Sequence, residues 1–261
     1  MAIKQSVSWW CFQGKGIDDQ SLLAHIKRIG FSGVELINPS LFKAARDHGL
    51  SIASHAAHAS INSGLNDLDQ LDRITHEVEA SLELADKFQI PNLIVFAGNR
   101  QAGVTDQEAA ERTVTSLRKL APLAEQASVT LTLELLNSKV DHSGYQADHT
   151  AWGVQVCQQV SSPNVRLLYD IYHMQIMEGD LVRTIQDNHQ WFGHYHTAGN
   201  PGRNELNIDQ EINYPSVFTA IANTGYVGYI GHEFIPTSDP IRSLEDAFEL
   251  TAESFRNSPT A

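Results

Sequence analysis

The 261-residue chain reads as an α/β protein, a single (β/α)8 TIM barrel spanning residues 1–261. Three observations lead there. Short apolar or β-branched runs recur along the sequence, eight in all. Each is followed by a longer stretch in which apolar residues return at three- and four-residue spacing, the period of a helix. The length suits one barrel domain. Strands that alternate with helices pair in parallel, because every return to the sheet needs a crossover. A doubly wound open sheet is the competing architecture. It would want a GxGxxG turn after the first strand, and "CFQGKGIDD" does not supply one.

The predicted strands are "KQSVSWW" (4–10), "GVELI" (33–37), "SIASHA" (51–56), "NLIVFAG" (92–98), "VTLTLELL" (129–136), "VRLLYDI" (165–171), "WFGHYH" (191–196) and "YIGHEF" (229–234). Between the first two, "DDQSLLAHIKRIG" predicts a helix capped by Asp18 and ended by Gly30. "SLFKAARDHG" follows the second run. The long segments "LDQLDRITHEVEASLELADKFQ" and "TDQEAAERTVTSLRKLAPLAEQA" carry helical periodicity, and Thr105 with Glu108 forms a capping box. "HTAWGVQVCQQV", "GDLVRTIQDN", "YPSVFTAIANTG" and "IRSLEDAFELTAESF" complete the helical set.

Composition narrows the function. A formal net charge of −13, from 18 basic against 31 acidic residues, argues against nucleic acid as a partner, since phosphate binding needs clustered Lys and Arg. Cys11 and Cys157 form no CxxC pair, which excludes a zinc ribbon or thioredoxin-type site. No apolar stretch of ~18 residues is present, so no membrane association is expected. The opening "MAIKQSVSWWCFQGKG" lacks the pattern of a signal peptide. The expectation is a cytoplasmic protein with a small-molecule substrate, with homo-oligomerisation left open.

In TIM barrels the active site lies at the carboxyl ends of the strands. The second run brings Glu35 there and the third His55. The fifth to eighth deliver Glu134, Asp170, His196 and Glu233. Taken singly, Asp170 reads equally well as a helix cap and His196 as a half-buried hydrogen-bonded histidine. Glu134 in "LTLELLN" and Glu233 in "YIGHEF" are harder to dismiss, because a carboxylate among apolar neighbours needs a partner. Four such residues on consecutive strands point to one divalent cation. Three carboxylates and an imidazole suit Mg²⁺ or Mn²⁺, with Zn²⁺ or Co²⁺ left open. His173, three residues beyond Asp170, is expected on the loop, within reach of a substrate.

The segment "YDIYHMQIMEGD" resembles the corresponding strand of hydroxypyruvate isomerases, members of the xylose-isomerase-like barrel superfamily. "GHYHTAGNPGRNE" (193–205), "EINYPSVFTAI" (211–221), "GYVGYIGHEFIPT" (225–237) and "LTLELLN" (131–137) are similar to further motifs of that family. The resemblance covers roughly 130–237 by motif and the remainder by architecture. It implies that Glu134, Asp170, His196 and Glu233 bind the metal and that Glu134 and Glu233 are the acid/base pair. It further implies that His173 and Arg203 hold substrate oxygens, and that Glu35 and His55 line the pocket. Hydroxypyruvate isomerases of the bacterial type often have glutamine where this chain has His196, and a histidine there is instead usual in the related ketose 3-epimerases and broader sugar isomerases. The implied reaction is a proton shift through an enediolate on a small α-hydroxycarbonyl compound. Conversion of hydroxypyruvate to tartronate semialdehyde is favoured, and epimerisation of a sugar is the alternative. Abasic-site endonucleases share the superfamily. Their metal sites need further histidines, which "FAGN" and "EIN" do not provide here.

Overall fold

A computed structural model describes residues 3–257; the outermost residues of the expected 1–261 domain lie outside them. The chain forms two compact units. The first takes in the described residues up to Ala53, then Asp180–His189, then those from Tyr195 onward; the second comprises Ser54–Gly179 and Gln190–His194.

In the first unit, β1 (Lys4–Ser8) lies between β2 (Gly33–Glu35) and β9 (Tyr229–His232), parallel to both. β3 (Ser51–Ile52) extends the sheet beyond β2, and the end of β8 (Phe192–Thr197) pairs with β9, giving the order β3-β2-β1-β9-β8. The register sets His196 opposite Gly231 and Glu35 opposite Ser8. Helices α1 (Asp19–Ile29), α2 (Phe42–Asp47), α7 (Leu181–Asn188), α8 (Tyr214–Asn223) and α9 (Pro240–Arg256) belong to this unit. Helix α1 forms where the sequence asks for it. The Asp18 carboxylate accepts from the backbone N–H groups of Gln20 and Ser21, and Gly30 closes the helix at φ 120°. That positive φ is one a side chain would resist. Leu22, Leu23 and Ile26 form its buried stripe.

In the second unit, β4 (Ser54–Ala56), β5 (Asn92–Val95), β6 (Thr130–Glu134) and β7 (Val165–Asp170) pair in parallel in chain order, with β8 beginning beside β7. Every residue of β5 is buried, as expected of a parallel strand covered on both faces. Helix α3 (Leu71–Phe88) buries Ile74, Val78, Ser81, Leu82 and Ala85, one side of a 3.6-residue period. Helix α4 (Asp106–Ala127) begins at the expected capping box, and α5 (Thr150–Val160) packs against it. Helix α6 (Ile171–Met177) follows β7 without a gap.

Two expectations are corrected. The run 51–56 is not one strand: Ala53 separates β3 from β4, and the two halves pair with different neighbours, β2 and β5. The stretch after Asp170 is not a loop. The Asp170 carboxylate accepts from His173 N–H at 2.9 Å and caps α6, so His173 sits in the first turn of a helix.

Candidate active site

Glu134 and Asp170 are the last residues of β6 and β7, His196 is the penultimate residue of β8, and Glu233 directly follows β9. All four stand at carboxyl ends, and all are buried: 5%, 1%, 0% and 3% exposed in that order. Ionisable groups so deeply buried are held by partners or by an ion, because an isolated charge there would be too costly.

In the first unit the structure brings Glu35, His196, Glu233 and Arg203 together. His196 lies between two carboxylates, with Nε2 3.3 Å from Glu35 Oε2 and Nδ1 3.1 Å from Glu233 Oε2. Glu233 also accepts from Trp10 Nε1–H at 2.9 Å and from Arg203 Nη2 at 2.5 Å. The Arg203 guanidinium stacks over the Trp10 ring, 5.2 Å from its centroid. Burial alone would raise the Glu233 pKa. A protonated His196 and the Arg203 guanidinium would each oppose burial, and together they hold the carboxyl well below the usual carboxylate range. Cys11 is nearby, and burial, reinforced by Glu233, pushes its thiol far up, which favours the neutral thiol. His232 bonds Thr197 Oγ1 at 2.9 Å and Gln5 Oε1 at 3.0 Å, and burial lowers its pKa to about 3.

In the second unit Asp170 and His173 form the centre. His173 Nε2 is 3.7 Å from Asp170 Oδ2. On its other side Asn137 Nδ2 donates to His173 Nδ1 at 2.6 Å. The orientation of Asn137 is fixed, because its Oδ1 accepts from the backbone N–H groups of Val140 and Asp141. Its amide nitrogen therefore faces His173, and a neutral His173 carries its proton on Nε2, toward Asp170. Tyr172 and Asn137 both donate to Asp141 Oδ2. The strand end at Glu134 is anchored by Tyr145, whose hydroxyl donates to Glu134 O and accepts from Ala97 N–H, each at 3.0 Å. His55 lies within β4 opposite Leu93, half-buried, with its pKa lowered by desolvation.

Glu35 and Arg203 carry more structure than the sequence implied. Glu35 is fully buried, accepts from Ser6 Oγ–H and faces His196. Arg203 commits part of its guanidinium to Glu233. Sequence reading missed Asn137, Trp10 and Ser6. Asn137 carried a usable signal, a polar residue closing the apolar run "LTLELLN". Trp10 and Ser6 carried none, since their partners lie more than 25 positions away.

A family model described as xylose isomerase-like TIM barrel matches residues 23–256. A 2-oxo-tetronate isomerase of Cupriavidus necator is 29% identical over 221 residues, 79% of this chain and 83% of that protein. A hydroxypyruvate isomerase of Escherichia coli is 31% identical over 159 residues, 61% of each chain. Among solved structures, one described as an AP endonuclease of family 2 from Brucella melitensis superposes with TM-score 0.83 at 23% identity, covering 94% of this chain and 97% of that one. An L-ribulose 3-epimerase does so with TM-score 0.81 at 18% identity, covering 97% and 95%. At these identities the structural likenesses speak for the fold alone.

Proposed function

Because the chain belongs to the xylose isomerase-like TIM-barrel family, we propose that it is a metal-dependent isomerase of a small α-hydroxycarbonyl compound. Hydroxypyruvate, converted to tartronate semialdehyde, or a close relative is the favoured substrate. The observation that carries this reading is the pair of buried glutamates, Glu134 and Glu233, at the carboxyl ends of two parallel strands. Similarity to proteins named as isomerases of hydroxypyruvate and of a 2-oxo-tetronate supports the substrate class.

Glu134, Asp170, His196 and Glu233 would hold one divalent ion. The donor set fits: buried side chains of metal-ligand type, three hard carboxylates and one imidazole. Mg²⁺ or Mn²⁺ suits that set, and Zn²⁺ or Co²⁺ remains compatible with the imidazole. When bound, such an ion supplies Lewis-acid polarisation of the substrate oxygens.

The protein's own groups then have these tasks. One glutamate takes the proton from the carbon that bears the hydroxyl and the other returns a proton to the neighbouring carbonyl carbon, while the hydroxyl proton passes to the former carbonyl oxygen, so hydroxyl and carbonyl change places with no net gain or loss of hydrogen. Glu233 is kept ionised by the Arg203 guanidinium bonded to it, at some cost to its basicity. His173 directs an N–H donor toward the Asp170 side, and with Arg203 it is assigned to the substrate oxygens. His55 is assigned to the pocket lining. Burial of the carboxylates excludes water, so charge on the enediolate meets fixed donors rather than solvent.

The test is a panel of hydroxy-oxo acids, ketoses and aldoses incubated with the metal-supplemented protein in deuterium oxide and read by NMR. Deuterium at the carbon beside the carbonyl, with appearance of the isomeric hydroxyaldehyde, is expected for hydroxypyruvate. Inversion at the same carbon of a ketose would instead support the epimerase reading, which the histidine at 196 favours. Nicking of abasic DNA without any exchange would replace both readings with a nuclease, against which the acidic composition weighs.

A further inference from the structure

Glu35 is fully buried, yet neither acid/base chemistry nor the four-ligand set uses it. Its two oxygens are divided. Oε1 accepts from Ser6 Oγ–H at 2.8 Å, and Oε2 faces His196 Nε2 at 3.3 Å. A carboxylate has no proton to give at neutral pH, so the contact requires His196 to carry hydrogen on Nε2. Nδ1, the nitrogen turned toward Glu233, is then the atom that a metal would take, in exchange for any proton it shares with that carboxylate. The arrangement depends on an absent side chain. Gly231, opposite His196 in the β8–β9 register, lies against both groups; a Cβ there would overlap Glu35 Oε1 and come within 2.9 Å of His196 Cδ2.

We propose that Glu35 is a positioning residue. Ser6, Glu35 and His196 form a buried chain that fixes the imidazole by its Nε2–H and presents Nδ1 as a metal ligand, in space kept open by Gly231. The inference rests on the reading of His196 as a ligand, and it moves Glu35 from the pocket wall, where the family resemblance put it, to the rear of the imidazole. Carboxylates that orient a ligating histidine from behind typically change metal affinity 10–100-fold, roughly, when removed.

The experiment combines calorimetric titration of Mn²⁺ with NMR of ¹⁵N-histidine-labelled protein, free of metal and loaded with diamagnetic Mg²⁺. His196 is assigned by the loss of its signals in His196→Gln. In the wild type a slowly exchanging Nε2–H resonance is expected in both states. Glu35→Ala should abolish it and weaken Mn²⁺ binding about 10–100-fold with the thermal transition still cooperative. Glu35→Gln keeps an oxygen acceptor and should restore the resonance and part of the affinity, a rescue that a mere filler of space would not show. An Nε2–H resonance retained in Glu35→Ala, with affinity within twofold of wild type, overturns the proposal. Should Glu35→Ala not fold, Ser6→Ala decides: a shifted resonance and a smaller affinity loss support the chain, and no change in either overturns it. If the wild type binds no Mn²⁺, the proposed function falls, and the resonance alone still judges the role of Glu35.

Discussion

Trp10 Nε1–H, Arg203 and His196 converge on the Glu233 carboxylate. A group so heavily bonded is oriented as well as charged, which suits a residue with two tasks. Glu233→Gln preserves shape but removes the charge that Arg203 and His196 complement. Turnover of the proposed isomerisation should fall by about 10²–10⁴ with the fold intact, and Glu134→Gln should do likewise. Steady-state kinetics beside a circular-dichroism melt checks this; near-wild-type turnover in either variant places the proton transfer elsewhere. Arg203→Ala carries a sharper expectation. Were Arg203 only a clamp for a substrate carboxylate, its loss would raise KM alone, by a factor corresponding to about 2–3 kcal/mol. Because it also holds Glu233, kcat should fall together with the rise in KM. A pure KM effect would mean that the ion pair seen here has no part in turnover. At this scale the sequence was most legible where burial and charge conflict. Glu134 and Glu233 stood out because carboxylates interrupt apolar runs, whereas Asp170 and His196 gained weight only by falling on consecutive strands with them. Ser6, Trp10 and Asn137 did not, because a hydroxyl, an indole or an amide is ordinary in any local context, and only long-range pairing gives each its meaning.

The helices show the same division between local and distant causes. Helix α4 starts where its sequence says it must. Thr105 Oγ1 accepts from Glu108 N–H, and the Glu108 carboxylate reaches back to Thr105 N–H at 2.8 Å, which also lowers the Glu108 pKa. Thr105→Ala should cost about 1 kcal/mol, read as a lowered denaturant midpoint with an unchanged slope. A midpoint equal to wild type would show that tertiary packing alone sets the start of α4. The capping of α1 by Asp18 and Gly30 was legible for the same reason: the signal and its partner lie within a few residues. Helix α6 was not. Asp170 closes β7 and caps α6 at once, so no turn residues separate the elements, and the seven-residue helix is too short for periodicity to announce it. The break at Ala53 was hidden too. The run 51–56, "SIASHA", contains no glycine or proline to mark a break, and its division follows from which strand each half pairs with.

For the molecule as a whole, none of the described helices is long and apolar enough to cross a membrane, and the net charge is −13. The behaviour in acid should be governed by buried histidines as well as by carboxylates. His58 Nε2 accepts from Phe96 N–H at 2.9 Å, which requires the neutral ring. Burial lowers its pKa to about 4, with Glu77 pulling it up and Arg73 pushing it down. His232, held by Thr197 and Gln5, is lowered further, to about 3. A histidine of the unfolded chain titrates near 6.5. Between that value and about 4 the unfolded chain thus binds protons that the native His58 does not. The stabilisation is complete above the unfolded pKa and is lost as pH falls toward the folded one. Each such histidine contributes a slope of at most about 1.4 kcal/mol per pH unit. Urea midpoints should therefore decline from pH 7 to pH 5, before most carboxylates titrate. His58→Gln keeps an acceptor for Phe96 N–H and removes the titrating ring. It should flatten that decline by about one proton equivalent, whatever it does to stability at pH 7. A decline as steep as in the wild type would mean that His58 takes up its proton without unfolding, and the acid sensitivity would then belong to His232 and the carboxylates.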